Sequence, residues 1–202
     1  DVRADVLVGH VRNATVGSLR TENTHPFRYR QWLFAHTGTV AGFPAMRERL
    51  AESIPQFLRR NVRGDTDSEL LFHLFLSFLH DAGKLQDAQP APSDVRVALR
   101  SSIALVDRLS QEEGSEPKGM NLVVTDGEHV YAVHSASRMA LRVYRGRGDL
   151  DEIALGDLTL SVGSKGFSVT NIANPVISGG LASGRIKVRD WFQPQAGANY
   201  KL

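Results

Sequence analysis

The sequence predicts an α+β domain, and three observations carry that prediction. Two short apolar segments stand near the start, at 6–11 and 32–36. A central block, 44–109, repeats apolar residues every three or four positions. After 120 the period changes to two. Strands, helices and strands are thus segregated along the chain, which argues against repeated βαβ units.

The segments 6–11 and 32–36 read as buried strands, and the stretch between them, with Gly17, Asn23 and Pro26, reads as a loop. Pro44 suits a helical first turn, because the N–H it lacks would be unpaired there anyway. Met46, Leu50, Ile54 and Phe57 follow at helical spacing. The next helix has the clearest start. Thr66 and Glu69 have the spacing of a capping box, in which each side chain bonds the other residue's backbone N–H. Leu70, Leu71, Leu74, Phe75, Phe78 and Leu79 then form one apolar stripe, and Gly83 is the expected stop. Residues 84–93 read as a surface loop. Helical spacing resumes at Val95, Leu99, Ser102, Val106 and Leu109, and a polar loop covers 111–119.

Segments 121–125 and 129–134 flank Asp126-Gly127, a signal for a hairpin with a tight turn. Further strands are expected at 139–144 and 158–162. Residues 163–184, rich in Gly, Ser and Asn, read as irregular, and 186–192 as a last strand.

At 202 residues the chain suits one domain, 1–202, large enough to bury a core without metal or disulfide staples. Its 42% hydrophobic and 23% charged residues are ordinary for a globular protein. A net charge of +2 and the lack of a dense Lys/Arg tract argue against nucleic acid as a partner. No apolar run approaches the roughly 18 residues of a membrane helix. The polar opening Asp1-Val-Arg-Ala-Asp is unlike a secretory leader, and there is no cysteine for a disulfide, so cytoplasm is the expected address.

Three motifs in fixed order bear chemistry: Gly-His-Val-Arg-Asn-Ala-Thr at 9–15, Phe-Ala-His-Thr-Gly at 34–38 and Gly-Asp-Thr-Asp-Ser-Glu at 64–69. Glu-Asn-Thr-His-Pro-Phe lies between the first two, at 22–27. Taken singly they are plain features. Arg12 is an arginine at a strand end, Asp67 an acid favoured by the helix dipole, and His36-Thr37-Gly38 a strand end and turn. Seven histidines raise the question of a metal, but no His-Glu-x-x-His pattern and no cysteine support one. His73 and His80, seven apart, are expected on one helix face. Gly163-Ser-Lys-Gly166 lacks the full phosphate-loop pattern and reads as a loop.

Together the motifs resemble the core of the class II glutamine amidotransferases, members of the N-terminal-nucleophile hydrolases. The 22–27 segment is similar to the stand-alone amidohydrolase branch. The resemblance covers 5–80 and, less specifically, 120–145. It implies two antiparallel sheets stacked face to face between helical layers (αββα), with the first strands missing from this chain. It also implies that Arg12 grips the substrate α-carboxylate, a task suited to a planar guanidinium. Asp67 then takes the α-ammonium, with Asp65 as the alternative acid. Gly38 N–H and residue 37 form the oxyanion hole. The family usually has asparagine there, and Thr37 is the departure. Losing such a donor costs about 2.7–4 kcal/mol in the barrier unless it is replaced. His10 and Thr15 pack and orient the site. His25 reads as structural, because the family's cysteine uses its own terminal amine as base.

That cysteine stands at position one in the family, and this chain has none. The expectation is a missing N-terminal segment that carries it, so that this chain alone is inactive. The alternative is a degenerate, non-catalytic domain that binds glutamine or a partner. No cofactor is implied. The implied partners are glutamine or a γ-glutamyl small molecule, and a separate synthase or other protein subunit.

Overall fold

Alternation along one strand organises the molecule. The computed structural model describes residues 6–10, 16–134, 139–144, 167–172 and 180–182. Strands β1 (Phe27–Tyr29), β2 (Trp32–Thr37), β3 (Asn121–Thr125) and β4 (Val130–His134) form an antiparallel sheet in the order β1-β2-β3-β4. Paired residues share a face, so the register Phe27↔Phe34, Phe34↔Val124 and Val124↔Tyr131 draws one apolar row across all four strands. Trp32 lies on the same face by the period of two. Both β2 aromatics meet helix α3 (Asp67–Asp81): Trp32 edge-on to Phe75 at 5.3 Å between ring centroids, Phe34 stacked on Phe72 at 5.2 Å.

The other face is apolar too. Ala35 is fully buried there, and Val123 and Ala132 pack with Met139 in a separate cluster. Leu122, Val123 and Val124 are therefore buried in succession, as in a strand covered on both sides. Met139 opens β5 (Met139–Tyr144). With β6 (Phe167–Ile172) and β7 (Gly180–Ala182), β5 forms a second antiparallel sheet in the order β5-β6-β7.

Between β2 and β3 come α1 (Phe43–Glu52), α2 (Gln56–Arg59), α3 and α4 (Pro92–Glu112). Pro44 sits in the first turn of α1, as expected. The α4 residues Val95, Leu99, Ser102, Val106 and Leu109 all face the core. α3 is buried on nearly every side rather than along one stripe. It ends where Gly83 adopts φ +70°: Gly83 N–H bonds the His80 carbonyl at 2.8 Å and Lys84 N–H the Leu79 carbonyl at 2.7 Å, a Schellman cap. No helix among the described residues is long and apolar enough to cross a membrane.

Several expectations need correction. Residues 6–10 form no strand. The expected loop between 12 and 31 contains a 3-10 turn, Thr21–Asn23, and strand β1. Phe57 is 42% exposed because Pro55 breaks the helix and resets its phase, which turns Leu58 inward instead. The 84–93 loop is not all surface, since Leu85 is buried. The β3–β4 connection has four residues, with Thr125 paired to Val130, rather than a two-residue turn. The Asp126 carboxylate accepts from the N–H groups of Glu128 and His129, and Gly127 alone takes a positive φ. β6 and β7 fall within 163–184, where irregular chain was expected. The strands expected at 158–162 and 186–192, and the Gly163-Ser-Lys-Gly166 loop, lie outside the described residues.

Candidate active site

The end of β2 and the first turn of α3 are tied together, and this junction gathers most of the motif residues. Alternation sends His36 to the helix side and Thr37 to the other. Gly38 follows at φ +141°, a conformation that favours glycine. A Cβ at Gly38 would also stand 3.1 Å from His36 Nε2 and 3.4 Å from Met120 Cα.

Two contacts form the tie. His36 Nδ1 lies 2.8 Å from Ser68 Oγ, and Val40 N–H donates to Asp67 Oδ2 at 2.8 Å. The other Asp67 oxygen accepts from Ser68 N–H at 2.8 Å and from the Ser68 hydroxyl at 3.3 Å. Asp67 is thus buried with both oxygens engaged. A carboxylate has about four lone-pair sites, so acceptor capacity remains for a ligand cation. Asp65, the alternative acid, is elsewhere: it pairs with Asn23 and lies 4.0 Å from Arg20.

His10 comes to the same place. Its Nε2 is 3.4 Å from Thr37 Oγ1, a long and weak contact. Its ring lies 4.2 Å from that of His25, which in turn meets Phe27 edge-on at 4.6 Å. The structure therefore places Thr37 beside His10 and ties the turn after Gly38 to Asp67. Arg12 and Thr15 lie outside the described residues. His73 and His80 do not share an environment: His73 is buried and bonded to the Glu69 carbonyl, while His80 is exposed beside Asp81. Among the described residues no group of His, Cys, Asp or Glu could hold a metal.

His36 is 2% exposed, and burial pushes its pKa down to about 4. Asp67 opposes that shift and His10 adds to it. The ring is neutral at neutral pH. Its Nε2 has no hydrogen-bond partner among the described residues. The consequence for stability has a definite sign. Between pH 6.5 and about 4 the unfolded chain takes up a proton that the folded chain refuses. Stability from His36 is therefore complete above pH 6.5 and lost as pH falls through about 4. The loss is on the order of 3 kcal/mol. Urea unfolding at pH 7 and pH 4.5 should show this slope, and His36→Gln should flatten it.

A second lock, which sequence reading missed, supports the start of α3. Asn23 is 1% exposed. Its amide N–H donates to the Ser18 carbonyl at 2.9 Å and to Asp65 Oδ1, and its oxygen accepts from Asp65 N–H at 3.0 Å. The capping box is half-formed. Thr66 Oγ1 accepts from Glu69 N–H at 3.2 Å, but the Glu69 carboxylate turns to the N–H groups of Arg63 and Gly64, at 2.8 and 2.7 Å. Those two groups belong to the loop before the helix, so Glu69 fixes the approach to Asp67 rather than the cap itself.

Residues 1–197 match the family of class-II glutamine amidotransferases. The chain is 32% identical over 136 residues to a probable glutamine amidotransferase of Saccharomyces cerevisiae, DUG3, covering 63% of this chain and 38% of that protein. It is 29% identical over 142 residues to YafJ of Escherichia coli, covering 67% and 48%. Among solved structures, a glutamine aminotransferase class-II domain protein from Silicibacter pomeroyi is similar, with 28% identity and a TM-score of 0.49. It covers 64% of this chain and 57% of that one. The chain spans less than half the length of the two curated relatives.

Proposed function

The chain belongs to the class II glutamine amidotransferases, and from that premise we propose that it is the glutaminase-type domain of a γ-glutamyl amidohydrolase. In this reading 1–202 is one N-terminally incomplete domain of the αββα fold, and a cysteine from outside these residues supplies the nucleophile. Glutamine or a γ-glutamyl small molecule binds as a zwitterion, its α-carboxylate on Arg12 and its α-ammonium on Asp67. The thiolate attacks the γ-carboxamide carbon. Gly38 N–H and the Thr37 hydroxyl stabilise the oxyanion, and ammonia or an amine leaves. Water then cleaves the γ-glutamyl thioester. His10 and Thr15 orient the site, and no cofactor takes part.

The observation that carries this reading is the tie between Asp67 and the turn after Gly38. Two motifs 29 residues apart are joined by Val40 N–H on Asp67 and by His36 on Ser68. An ammonium site and an oxyanion donor fixed to each other are what positioning of a small amide requires.

A second reading, a non-catalytic glutamine- or partner-binding module, is favoured by Thr37, whose hydroxyl lies toward His10. One substitution separates the two. In the full-length protein, Thr37→Asn should raise kcat for glutamate release from L-glutamine by about 10- to 100-fold, because the longer amide is the better oxyanion donor. Glutamine binding without glutamate release in both the parent and the Thr37→Asn variant would favour the binding module.

A further inference from the structure

A cavity apart from the Gly38–Asp67 junction has the chemistry of a ligand site. It has a volume of about 390 Å³, within the range of small-molecule pockets. Arg28, Arg30, Arg63, Glu22 and Glu69 supply its charges, and His73 is in its lining. None of His10, Thr37, Gly38 or Asp67 takes part.

The guanidinium groups of the three arginines have no acidic partner among the described residues. Arg28 Nε donates to the Arg30 carbonyl at 3.3 Å. The Arg30 guanidinium lies over the Tyr29 ring, 5.7 Å from its centroid. Arg63 has its backbone N–H fixed by Glu69. No ion pair ties any of the three among the described residues. Of the two acids, Glu69 is 4% exposed with both oxygens committed to backbone N–H groups, and with Glu22 it sets two negative charges against the three arginines.

Arg30 carries a second signal. It is the first of the two residues between the paired Tyr29 and Trp32, and its φ is +53°. Two-residue hairpin loops favour Gly or Asn at such a position. Arg30 is the one non-glycine residue with positive φ among the described residues. A positive φ at a non-glycine residue that lines a cavity is the kind of outlier that marks a functional position.

His73 defines the other end. It is 4% exposed, and burial lowers its pKa, which keeps the ring neutral at neutral pH. Nδ1–H donates to the Glu69 carbonyl at 2.9 Å, so Nε2 bears the lone pair. Nε2 has no hydrogen-bond partner among the described residues.

We propose that this cavity binds a small phosphate- or carboxylate-bearing molecule, its anionic end on Arg28, Arg30 and Arg63 and a hydrogen-bond-donating group on His73 Nε2. Guanidinium groups pair two N–H donors with two oxygens of either anion. The site is independent of the γ-glutamyl reading and stands or falls by binding alone.

The test is calorimetry on the full-length protein with inorganic phosphate and, separately, succinate, at ionic strength held constant with sodium chloride. NMR of the histidine rings is recorded in parallel. At least one probe should bind saturably with a dissociation constant at or below about 1 mM and shift the His73 resonances. Preference for phosphate or for succinate identifies the anion class. Arg30→Gly should lower affinity at least about 10-fold while raising the melting temperature, since it removes the charge and the strain together. Arg63→Ala should lower affinity without that thermal gain. Saturable binding by neither probe, affinity unchanged in both variants, or binding that leaves His73 unmoved would each overturn the proposal.

Discussion

Asp67→Ala is expected to destabilise the protein by about 3–5 kcal/mol, read as a shift in the urea midpoint at unchanged slope. Two buried backbone donors, Val40 N–H and Ser68 N–H, lose a charged acceptor, and hydrogen bonds of that kind contribute about 1.5–3 kcal/mol each. Neither donor is refilled easily, because Asp67 is 3% exposed. Asp67→Asn separates structure from binding. The amide oxygen keeps one of the two backbone donors and its NH2 faces the other, so the cost should be about half that of Asp67→Ala, while the charge proposed to meet a substrate ammonium is gone. In the full-length protein Asp67→Asn should raise KM for L-glutamine by at least about 10-fold. An unchanged KM would leave Asp67 as the clasp between β2 and α3 and nothing more.

Gly64→Ala is the second large effect, and its cause is space rather than conformation. A Cβ at Gly64 would sit 2.2 Å from Asn23 Oδ1, 2.9 Å from Glu69 Oε2 and 3.0 Å from the Glu22 carbonyl oxygen. One of the three must move. The backbone oxygen is the least able to, so the Asn23 and Glu69 hydrogen bonds break first. The expected cost is about 2–4 kcal/mol, from overpacking and lost buried hydrogen bonds. Because the clash is with Asn23, the substitutions should not add. Asn23→Ala combined with Gly64→Ala should cost clearly less than the sum of the two. Thermal or urea unfolding of the four proteins in that cycle checks it, and strict additivity would show that the two residues do not share a lock.

The elements that were legible in the sequence are those whose pattern is long enough to repeat. α3 and α4 show three or more turns of apolar spacing, and the β3–β4 pair shows two short apolar runs on either side of Asp126-Gly127. β1 was not legible because it is three residues long and its middle residue, Arg28, is exposed, which leaves no period to read. Phe57 continues the spacing of Met46, Leu50 and Ile54 only if one helix runs through Pro55, and at Pro55 a new helix begins. Glu69 shows the limit of a spacing rule. Its distance from Thr66 in sequence fits a capping box, yet its carboxylate has several backbone N–H groups within reach, and it takes those of Arg63 and Gly64. Asn23 reads in the sequence as a loop residue, with no signal of its burial. A buried asparagine is defined by partners at 18 and 65, and nothing in a single sequence reports such a meeting. At the site, the motifs named Gly38 and Asp67 separately. The His36–Ser68 bond that joins their neighbourhoods emerged from the geometry.

The most direct measurement is a titration of the full-length, 15N-labelled protein with L-glutamine, following the backbone amides of Gly38, Val40 and Ser68. If Asp67 and the Gly38 turn form one amino-acid site, all three resonances shift together and saturate at one concentration, and Asp67→Asn weakens that response. If L-glutamine leaves these amides unmoved, or if glutamate is released while they stay fixed, the substrate binds elsewhere and the Asp67–Gly38 junction is only part of the scaffold.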